Sequence, residues 1–410
     1  MAIRSRCIRP DDYEDIRLFV PHKGYEEVLD TLNLFLNDRG GKHRRLMVYG
    51  ERGVGKSITV RAVIHQLQAQ REDFFPVIVR GERCNNVKEL LRALAEELAR
   101  QANELFPRDK DLLKEISYLR QLISADEITR SNFFKIGCEL ESSIQEDFGL
   151  LGFIKLTLGI RGAIEEEEVR EETSKITIDD HFRLQLLESM LKAIGKRRDK
   201  EPLVFVDNLD QLGEAFEDPK IVCQLLRTLI SLDTIAIVTT VRSEFVSMDI
   251  SRECRSAICL KELEPNQLME ILNRRLQIDC RESEKLKKAG ILNLGQELTR
   301  KTGNPLAFLR WLDYLCWHTD LEVNRCWEDL KGYVLTYYAT SAEFVKRVAD
   351  WYFSTGERQA KAATLIEKVK LDEDDVRILE FQGVLVPDDV TRSFESKRYS
   401  LSPLLGFLKP

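Results

Sequence analysis

Residues Gly50-Glu-Arg-Gly-Val-Gly-Lys-Ser57 follow a short apolar run, Arg45-Leu-Met-Val-Tyr49, and precede a helical pattern that continues to about Gln70. The three glycines let the backbone curl tightly, so that successive N–H groups can point at bound phosphates. In a loop of this spacing between a strand and a helix, Lys56 reaches the β- and γ-phosphates and the Ser57 hydroxyl coordinates Mg²⁺. We therefore expect this P-loop to bind ATP or GTP. The residues expected to line the nucleotide are Gly50, Glu51, Arg52, Gly53, Val54, Gly55, Lys56, Ser57 and Ile58.

Apolar runs on both sides of the P-loop predict a parallel α/β sheet. A helix over Tyr25–Leu36 precedes the first strand, and an amphipathic helix over Val87–Leu105 follows a second strand at Pro76–Val79. The order strand, helix, strand is that of a βαβ unit, which implies parallel strands. Further apolar runs predict strands at Leu203–Val206, Thr234–Val238 and Ala257–Leu260.

The strand at Leu203–Val206 leads directly into Asp207-Asn-Leu-Asp210. An apolar strand that ends in a carboxylate delivers it to the ligand-binding edge of an open α/β sheet, so we expect Asp207 to anchor Mg²⁺. Many P-loop ATPases carry glutamate at the position of Asn208. An amide can hydrogen-bond the attacking water but cannot take its proton, and Asp210 is the nearest carboxylate that could substitute. Slow hydrolysis, or nucleotide binding used as a switch, is the expectation.

The next strand of the sheet is closed by polar residues. Ile235-Ala-Ile-Val238 is followed by Thr239, Thr240 and Arg242. A polar side chain at this strand end can contact the γ-phosphate or its water, and an arginine can bind phosphate with two parallel hydrogen bonds. Arg242 is therefore a candidate catalytic residue, with a surface salt bridge as the alternative.

Composition restricts the class of protein and its compartment. The 410 residues predict two or three domains. A net charge of −7 and a pI near 5.6 argue against a surface coated in nucleic acid but leave room for a local basic groove. With no apolar run of 18 residues and no apolar stretch near the start, neither a membrane span nor a signal peptide is expected. The nine cysteines lack Cys-x-x-Cys spacing, which predicts free thiols in a reducing cytoplasm rather than a zinc site.

The middle and the end of the chain differ from the α/β pattern. Between about 106 and 180, the alternating segment Phe153–Arg161 predicts a β-ribbon, and the acidic run Glu165–Glu172 indicates a solvated face or, alternatively, a regulatory segment. Beyond Pro265 the pattern is helical to about Tyr338. The remaining elements are predicted at Phe344–Phe353, Thr364–Leu371 and Asp372–Phe381 as helices, and at Gly383–Val386 and Lys397–Leu401 as strands.

The ordered set of motifs resembles the AAA+/STAND group of P-loop ATPases. The set consists of the P-loop, Asp207-Asn-Leu-Asp210, Thr239-Thr-Val-Arg242 and Leu260-Lys-Glu-Leu-Glu-Pro265, and Gly303-Asn-Pro-Leu306 matches the Gly-x-Pro motif of STAND proteins. The resemblance implies that Pro305 contacts the nucleotide. It also implies an α/β fold with a parallel five-stranded P-loop domain (ASCE type, order 5-1-4-3-2), an α-helical lid and a C-terminal winged helix. The implied divisions are an N-terminal arm at 1–18, the ATPase domain at 19–264 with an insertion at about 106–180, the lid at 265–340 and the winged helix at 341–410.

Two subfamilies share this order of motifs. Origin-recognition-type initiator ATPases normally carry a sensor arginine three residues after the lid glycine, where this chain has Leu306, although Arg310 lies one helical turn later. Pro305 follows the STAND pattern, so the resemblance leans to that group. At Phe19-Val-Pro-His-Lys23, where these families often have a hydrophobic–Gly–Arg motif beside the adenine, the Gly-Arg pair is absent.

These features lead to one expected function and two alternatives. The first hypothesis is a cytoplasmic switch that binds ATP or ADP with Mg²⁺, hydrolyses ATP slowly, couples nucleotide state to conformation or oligomerisation, and acts on a protein partner. The STAND resemblance implies signalling or antiviral defence as its setting. The first alternative is a DNA-handling AAA+ ATPase of the initiator, loader or transposition-regulator type. The second is a nucleotide-binding module that never hydrolyses ATP and holds a partner enzyme, which Asn208 supports.

Charge bears on the choice between protein and DNA as the partner. The predicted helix Asp372–Phe381 has five acidic residues and one arginine, so it would be repelled by DNA phosphates, and nucleic acid is not favoured. The run Lys42-His-Arg-Arg45 is also a candidate for DNA contact, but we interpret it as a charged loop before a strand. The absence of an Asn-Lys-x-Asp tetrapeptide favours ATP over GTP. Basic residues through which the DNA alternative could act are Arg120, Arg130, Lys135, Arg392, Lys397 and Arg398.

Overall fold

The computed structural model places the chain in two compact units. One lies within 1–33, 46–67 and 240–410, and the other within 34–45 and 68–239. The predicted β-ribbon, the acidic run, Arg130, Lys135 and Asp210 all lie outside the described residues. The structure describes residues 16–39, 41, 44–81, 84–129, 132, 136, 175–208, 224, 226–229, 232, 235–246, 254–279, 285–318, 341–381, 383–388, 392–402, 405 and 408.

The strands of the described ranges form one large sheet and two small ones. The large sheet has the order β2-β5-β6-β1-β7, and the small sheets have the orders β8-β10-β9 and β3-β4. The strands are β1 (Arg45–Gly50), β2 (Phe74–Arg80), β3 (Glu127–Thr129), β4 (Lys175–Thr177), β5 (Glu201–Asp207), β6 (Ala236–Arg242), β7 (Ser256–Cys259), β8 (Ala360–Lys361), β9 (Leu385–Pro387) and β10 (Arg398–Leu401).

The large sheet has the topology that the resemblance implied. When its five strands are numbered along the chain, the observed order reads 2-3-4-1-5, which is 5-1-4-3-2 from the opposite edge. The pairs β2–β5, β5–β6 and β1–β7 are parallel. The prediction of a parallel five-stranded P-loop sheet is therefore confirmed.

The central strands are apolar because both faces of the sheet are covered. All residues of Leu203–Val206 in β5 are fully buried, and β6 is buried from its first residue to Val241. Parallel strands covered on both faces give continuous apolar runs rather than alternation. The ends of these runs also place the motif residues, because Gly50, Asp207 and Arg242 end β1, β5 and β6.

Helices account for most of the rest of the described structure. The helices predicted over Tyr25–Leu36 and Val87–Leu105 are present, whereas the part of the predicted helical stretch between 319 and 338 lies outside the described residues. Val87–Leu105 has the predicted bounds because Asn86 caps its first turn, accepting a hydrogen bond from the Glu89 N–H at 2.9 Å. The helices are α1 (Lys23–Asn37), α2 (Lys56–Gln70), α3 (Val87–Leu105), α4 (Lys110–Ser124), α5 (Asp180–Arg198), α6 (Pro265–Asp279), α7 (Lys285–Thr299), α8 (Pro305–His318), α9 (Ala342–Thr355), α10 (Ala362–Val369) and α11 (Glu373–Phe381).

The C-terminal segment 341–410 has the element order α9-β8-α10-α11-β9-β10, with an antiparallel sheet. This order fits the winged helix that the resemblance implied. The strand β8 was not predicted, because two residues are too short to show a pattern. One hydrophobic core contains Leu272 and Phe308 of helices α6–α8 together with Val348, Leu365 and Leu379 of the C-terminal segment.

Two further elements differ from the sequence prediction. Strand β6 continues four residues beyond Val238 to Arg242, since Thr239–Val241 are buried and both threonine and valine favour strands. The short antiparallel pair β3–β4, in register from Glu127 with Thr177, lies at the two ends of the region that the structure leaves undescribed between 137 and 174.

Candidate nucleotide-binding site

The P-loop connects β1 to α2 and depends on glycine at two positions. Gly53 and Gly55 have φ angles of +87° and +92°, in the left-handed region that residues with a Cβ atom rarely adopt. A Cβ at Gly55 would meet only the Ile58 side chain, at 3.5 Å, so the backbone angle alone requires glycine there. The strand–loop–helix arrangement predicted for Gly50–Ser57 is present.

Lys56 lies inside this loop. The side chain is only 8% exposed, and its Nζ donates hydrogen bonds to the carbonyl oxygens of Gly50 and Glu51, both at 2.9 Å. A buried ammonium is stable only when its hydrogens have partners, and here the loop backbone supplies them. Ser57 follows as the second residue of α2, and Val54 is buried at 2% exposure.

The structure brings Pro305 to the P-loop through its two neighbours. The Asn304 side chain donates to the carbonyl oxygen of Arg52 at 2.8 Å, and the Leu306 N–H donates to the carbonyl oxygen of Gly53 at 3.2 Å. Pro305 itself is the first residue of α8, a position where its missing N–H costs no hydrogen bond. Arg310 lies on the same helix and is exposed. The Asn304 contact was not foreseen from the sequence, which singled out only the proline.

Asp207 and Asn208 stand at the end of β5. Asp207 is 1% exposed and in register with Arg80 of β2. Asn208 has a φ of +54°, a left-handed conformation that asparagine adopts more readily than most residues with a side chain. The departure from glutamate therefore has a conformational reason that the sequence did not reveal.

The end of β6 carries the threonines and Arg242. Thr239 is 5% exposed, and no described residue hydrogen-bonds its Oγ1, which is buried. Such a hydroxyl costs free energy unless a ligand or water pairs with it. The Arg242 guanidinium lies 5.1 Å from the ring centre of Phe245, a cation–π contact that the sequence analysis missed.

Residues in and just after the Phe19–Lys23 segment contact α2 and one another, which the sequence did not predict. His22 Nε2 is 3.0 Å from Thr59 Oγ1, two residues after Ser57. The Phe19 ring lies 5.8 Å from the His22 ring and 5.2 Å from Tyr25. Burial lowers the pKa of His22. The signal was the aromatic spacing Phe19, His22, Tyr25 at the start of a helix.

The interpretation of Lys42–Arg45 as a charged loop is wrong for its two arginines. Arg44 is fully buried and Arg45 is 7% exposed. Arg44 donates hydrogen bonds to the carbonyl oxygens of Phe35 and Gly41 and to Glu201, each at 3.1 Å. Neither side chain can bind DNA from this position. Arg120 is paired with Glu96 at 3.1 Å.

The described residues also restrict metal and membrane interpretations. Among them, no group of three or more His, Cys, Asp or Glu side chains is arranged to hold a metal ion. Among the described cysteines, Cys84, Cys254 and Cys259 are not joined in disulfides, and burial raises the pKa of Cys84 to about 11. Within the described part of the chain, every helix is too short or too polar to cross a membrane.

Comparison with solved structures finds similar proteins that bind nucleotide or DNA. The Aeropyrum pernix ORC2 protein in its ADPNP–ADP complexes is 11% identical, with a TM-score of 0.49 over 100% of this chain and 98% of that one. The A. pernix ORC1 protein in complex with DNA is 14% identical, with a TM-score of 0.47 over 99% and 96%. The Thermotoga maritima RuvB branch migration motor is 12% identical, with a TM-score of 0.37 over 95% of each chain.

Comparison by sequence gives a match to a family but to no curated protein. No curated protein matches the chain. The family model described as an AAA ATPase domain matches residues 24–238, which is just over half of the chain and contains the P-loop, Asp207 and the start of β6. The chain therefore belongs to the AAA ATPase domain family.

Proposed function

We propose that this protein is an ATP-dependent switch that hydrolyses ATP slowly and couples its nucleotide state to conformation or oligomeric state. The observation that carries the proposal is the pair of hydrogen bonds between the P-loop and the start of α8, from Asn304 to Arg52 and from Leu306 to Gly53. A loop that must adjust to phosphates is thereby joined directly to a helix. That helix shares a core with the C-terminal segment, so the two can respond together.

The residues of the site fit ATP and Mg²⁺. The left-handed glycines free the loop N–H groups for phosphate, Lys56 supplies a cation on the same loop, and Ser57 and Asp207 supply the oxygen ligands that Mg²⁺ prefers. When bound, Mg²⁺ would neutralise charge on the β- and γ-phosphates. Thr239, whose Oγ1 has no hydrogen-bond partner among the described residues, is a further candidate contact.

Slow hydrolysis is proposed from the residue after Asp207. Asn208 can orient a water molecule through its amide but cannot accept the water's proton. The left-handed backbone at this position favours asparagine over glutamate, the residue that would act as a base. Asp210 stays a candidate base, and Arg242 a candidate phosphate contact.

A protein partner is proposed because the acidic helix α11 uses its basic residue internally. Arg377 is paired with Glu373 at 2.6 Å, and Lys397, directly before β10, is paired with Glu380 at 2.8 Å. Phosphate contacts would require breaking these pairs beside Asp372, Asp374 and Asp375. A reducing compartment, the cytoplasm, suits described cysteines that form no disulfide. Signalling or antiviral defence is the setting proposed from the STAND resemblance.

One observation favours the DNA-handling alternative. Lys361 and Arg398 lie opposite each other in adjacent strands β8 and β10, and both are exposed. Two neighbouring cations on the small sheet β8-β10-β9 can contact a DNA backbone without reading bases.

The test measures particle size by light scattering without nucleotide, with ADP and with ATP, together with phosphate release. We expect ATP to change the size of the wild-type particle and phosphate to be released at a low rate. Lys56→Ala should lose both the size change and the phosphate release. An unchanged particle whose phosphate release requires added duplex DNA would instead support the DNA-handling alternative. A wild-type protein that binds no ATP would refute both.

A further inference from the structure

The Asn304 side chain hydrogen-bonds to two different elements, the start of α8 and the P-loop. The residue is fully buried. Its Oδ1 accepts hydrogen bonds from the N–H groups of Leu306 at 3.1 Å and Ala307 at 3.2 Å, which caps the start of α8. Its Nδ2 donates to the carbonyl oxygen of Arg52 in the P-loop at 2.8 Å. One side chain therefore holds both the helix start and the loop.

The P-loop carbonyls are distributed between two groups of donors. Lys56 occupies those of Gly50 and Glu51, whereas Asn304 and the Leu306 N–H occupy those of Arg52 and Gly53. Across a planar trans peptide the C=O and the following N–H point in opposite directions. Fixing the carbonyls at 52 and 53 toward α8 therefore directs the N–H groups at 53 and 54 away from it, where a phosphate can accept them.

The loop and the helix start are also in tight van der Waals contact. A Cβ atom at Gly53 would lie 2.6 Å from Asn304 Oδ1 and 2.7 Å from Leu306 Cβ. Real Cβ atoms do not approach other atoms so closely, so Gly53 packs against the Asn304 and Leu306 side chains with no room for a Cβ atom. Movement of the loop at Gly53 toward α8 must therefore displace these two side chains at the start of the helix.

We propose that Asn304 is a positioning residue that sets the P-loop for phosphate and passes the movement of the loop to α8. The inference rests on the proposed function, since it requires the P-loop to bind ATP. The amide donor supplies the link to the loop and the carbonyl oxygen supplies the cap, so the two roles can be separated by substitution.

The separating variant is Asn304→Ser. Serine caps helices about as well as asparagine but is too short to reach the Arg52 carbonyl. The matched control is Asn86→Ser, the same exchange at the cap of α3. We expect N304S to weaken ATP binding about fivefold, as for one lost hydrogen bond, and to abolish the ATP-dependent change in hydrogen exchange along α8. The midpoint of thermal unfolding without nucleotide should fall by no more than about 2 °C. N86S should leave ATP affinity and the exchange response of α8 unchanged.

A second variant protects the test against misfolding. Asn304→Asp keeps the size of the side chain and its capping oxygen but has no donor, so it should show at least the same loss of ATP affinity. If the wild type binds ATP and either folded variant keeps its affinity and its α8 response, the role of Asn304 is refuted while the switch proposal stands. If the wild type binds no ATP, both are refuted.

Discussion

Single residues at this site are constrained by backbone geometry as well as by side-chain chemistry. Gly53 combines a left-handed φ with a close approach to α8, whereas Gly356, at the end of α9, has a left-handed φ of +70° and open space around it. Asn208 shares the left-handed conformation at the end of β5. A comparison of these three positions therefore separates the free-energy cost of a left-handed backbone from that of a close contact.

Gly53→Ala should be more damaging than the same exchange at Gly356. Both add about 1 kcal/mol of strain from the left-handed backbone. At Gly53 the new methyl group also collides with Asn304 and Leu306, so the loop and α8 must separate. We expect at least a tenfold loss of ATP affinity for G53A and none for G356A, measured by titration with a fluorescent ATP analogue. Equal affinities in the two variants would contradict the packing argument.

Protonation of His22 is expected to cost stability at low pH. Burial lowers its pKa, so the folded protein holds this proton more weakly than the unfolded chain, whose histidine titrates near 6.5. The contribution of neutral His22 is fully present above about pH 6.5 and is lost as the pH falls through the lowered pKa. His22→Gln should show a smaller drop in unfolding midpoint between about pH 7.5 and 5.5 than the wild type. His65→Gln, at an exposed position of α2, is the control and should keep the full drop.

At the scale of elements, the turn between α1 and β1 is held by a buried arginine. Arg44 joins the end of α1 to the start of β5 through the Phe35 carbonyl and Glu201. Removing one partner of a buried, hydrogen-bonded ion pair leaves the other uncompensated. The turn is therefore an internal link of its compact unit rather than a surface loop.

Arg44→Ala should destabilise the protein by about 3 kcal/mol, since it strands two backbone carbonyls and Glu201. The matched control is Arg39→Ala, a few residues earlier, whose guanidinium pairs with Asp73 and Asp199 on the surface. Surface pairs are screened by water, so R39A should have a much smaller effect. Urea unfolding measures both variants. Similar midpoints would show that Arg44 is not an internal link.

Elements with a long pattern were predictable from the sequence, and contacts between distant segments were not. The apolar runs of β1, β5 and β6 appear because both faces of the sheet are buried, and Gly50–Ser57 carries its own spacing. Burial of Arg44 depends on Glu201, 157 residues away, and the role of Asn304 depends on Arg52, 252 residues away. Neither partner is visible in a local window, so residue type alone suggested a charged loop and a proline motif.

At the scale of the whole molecule, charge rather than fold separates the two candidate functions. The chain has a net charge of −7, and α11 is acidic, yet Lys361 and Arg398 form an exposed basic pair on the small sheet β8-β10-β9. A family fold supports both a switch and a DNA-handling ATPase, so function must be argued from such surfaces.

The double variant Lys361→Glu/Arg398→Glu tests this basic pair. If the protein is a switch that acts on other proteins, the variant should keep ATP-dependent assembly and phosphate release, because neither residue lies in the P-loop or in α8. If the sheet β8-β10-β9 binds DNA, loss of two phosphate contacts should lower affinity for duplex DNA and reduce the slope of log K against log salt by about 2. The matched control Glu357→Lys/Glu395→Lys changes exposed acidic residues of the same segment. We expect neither pair of changes to alter assembly. A salt-dependent loss of DNA-stimulated phosphate release in the first pair alone would instead support the DNA-handling function.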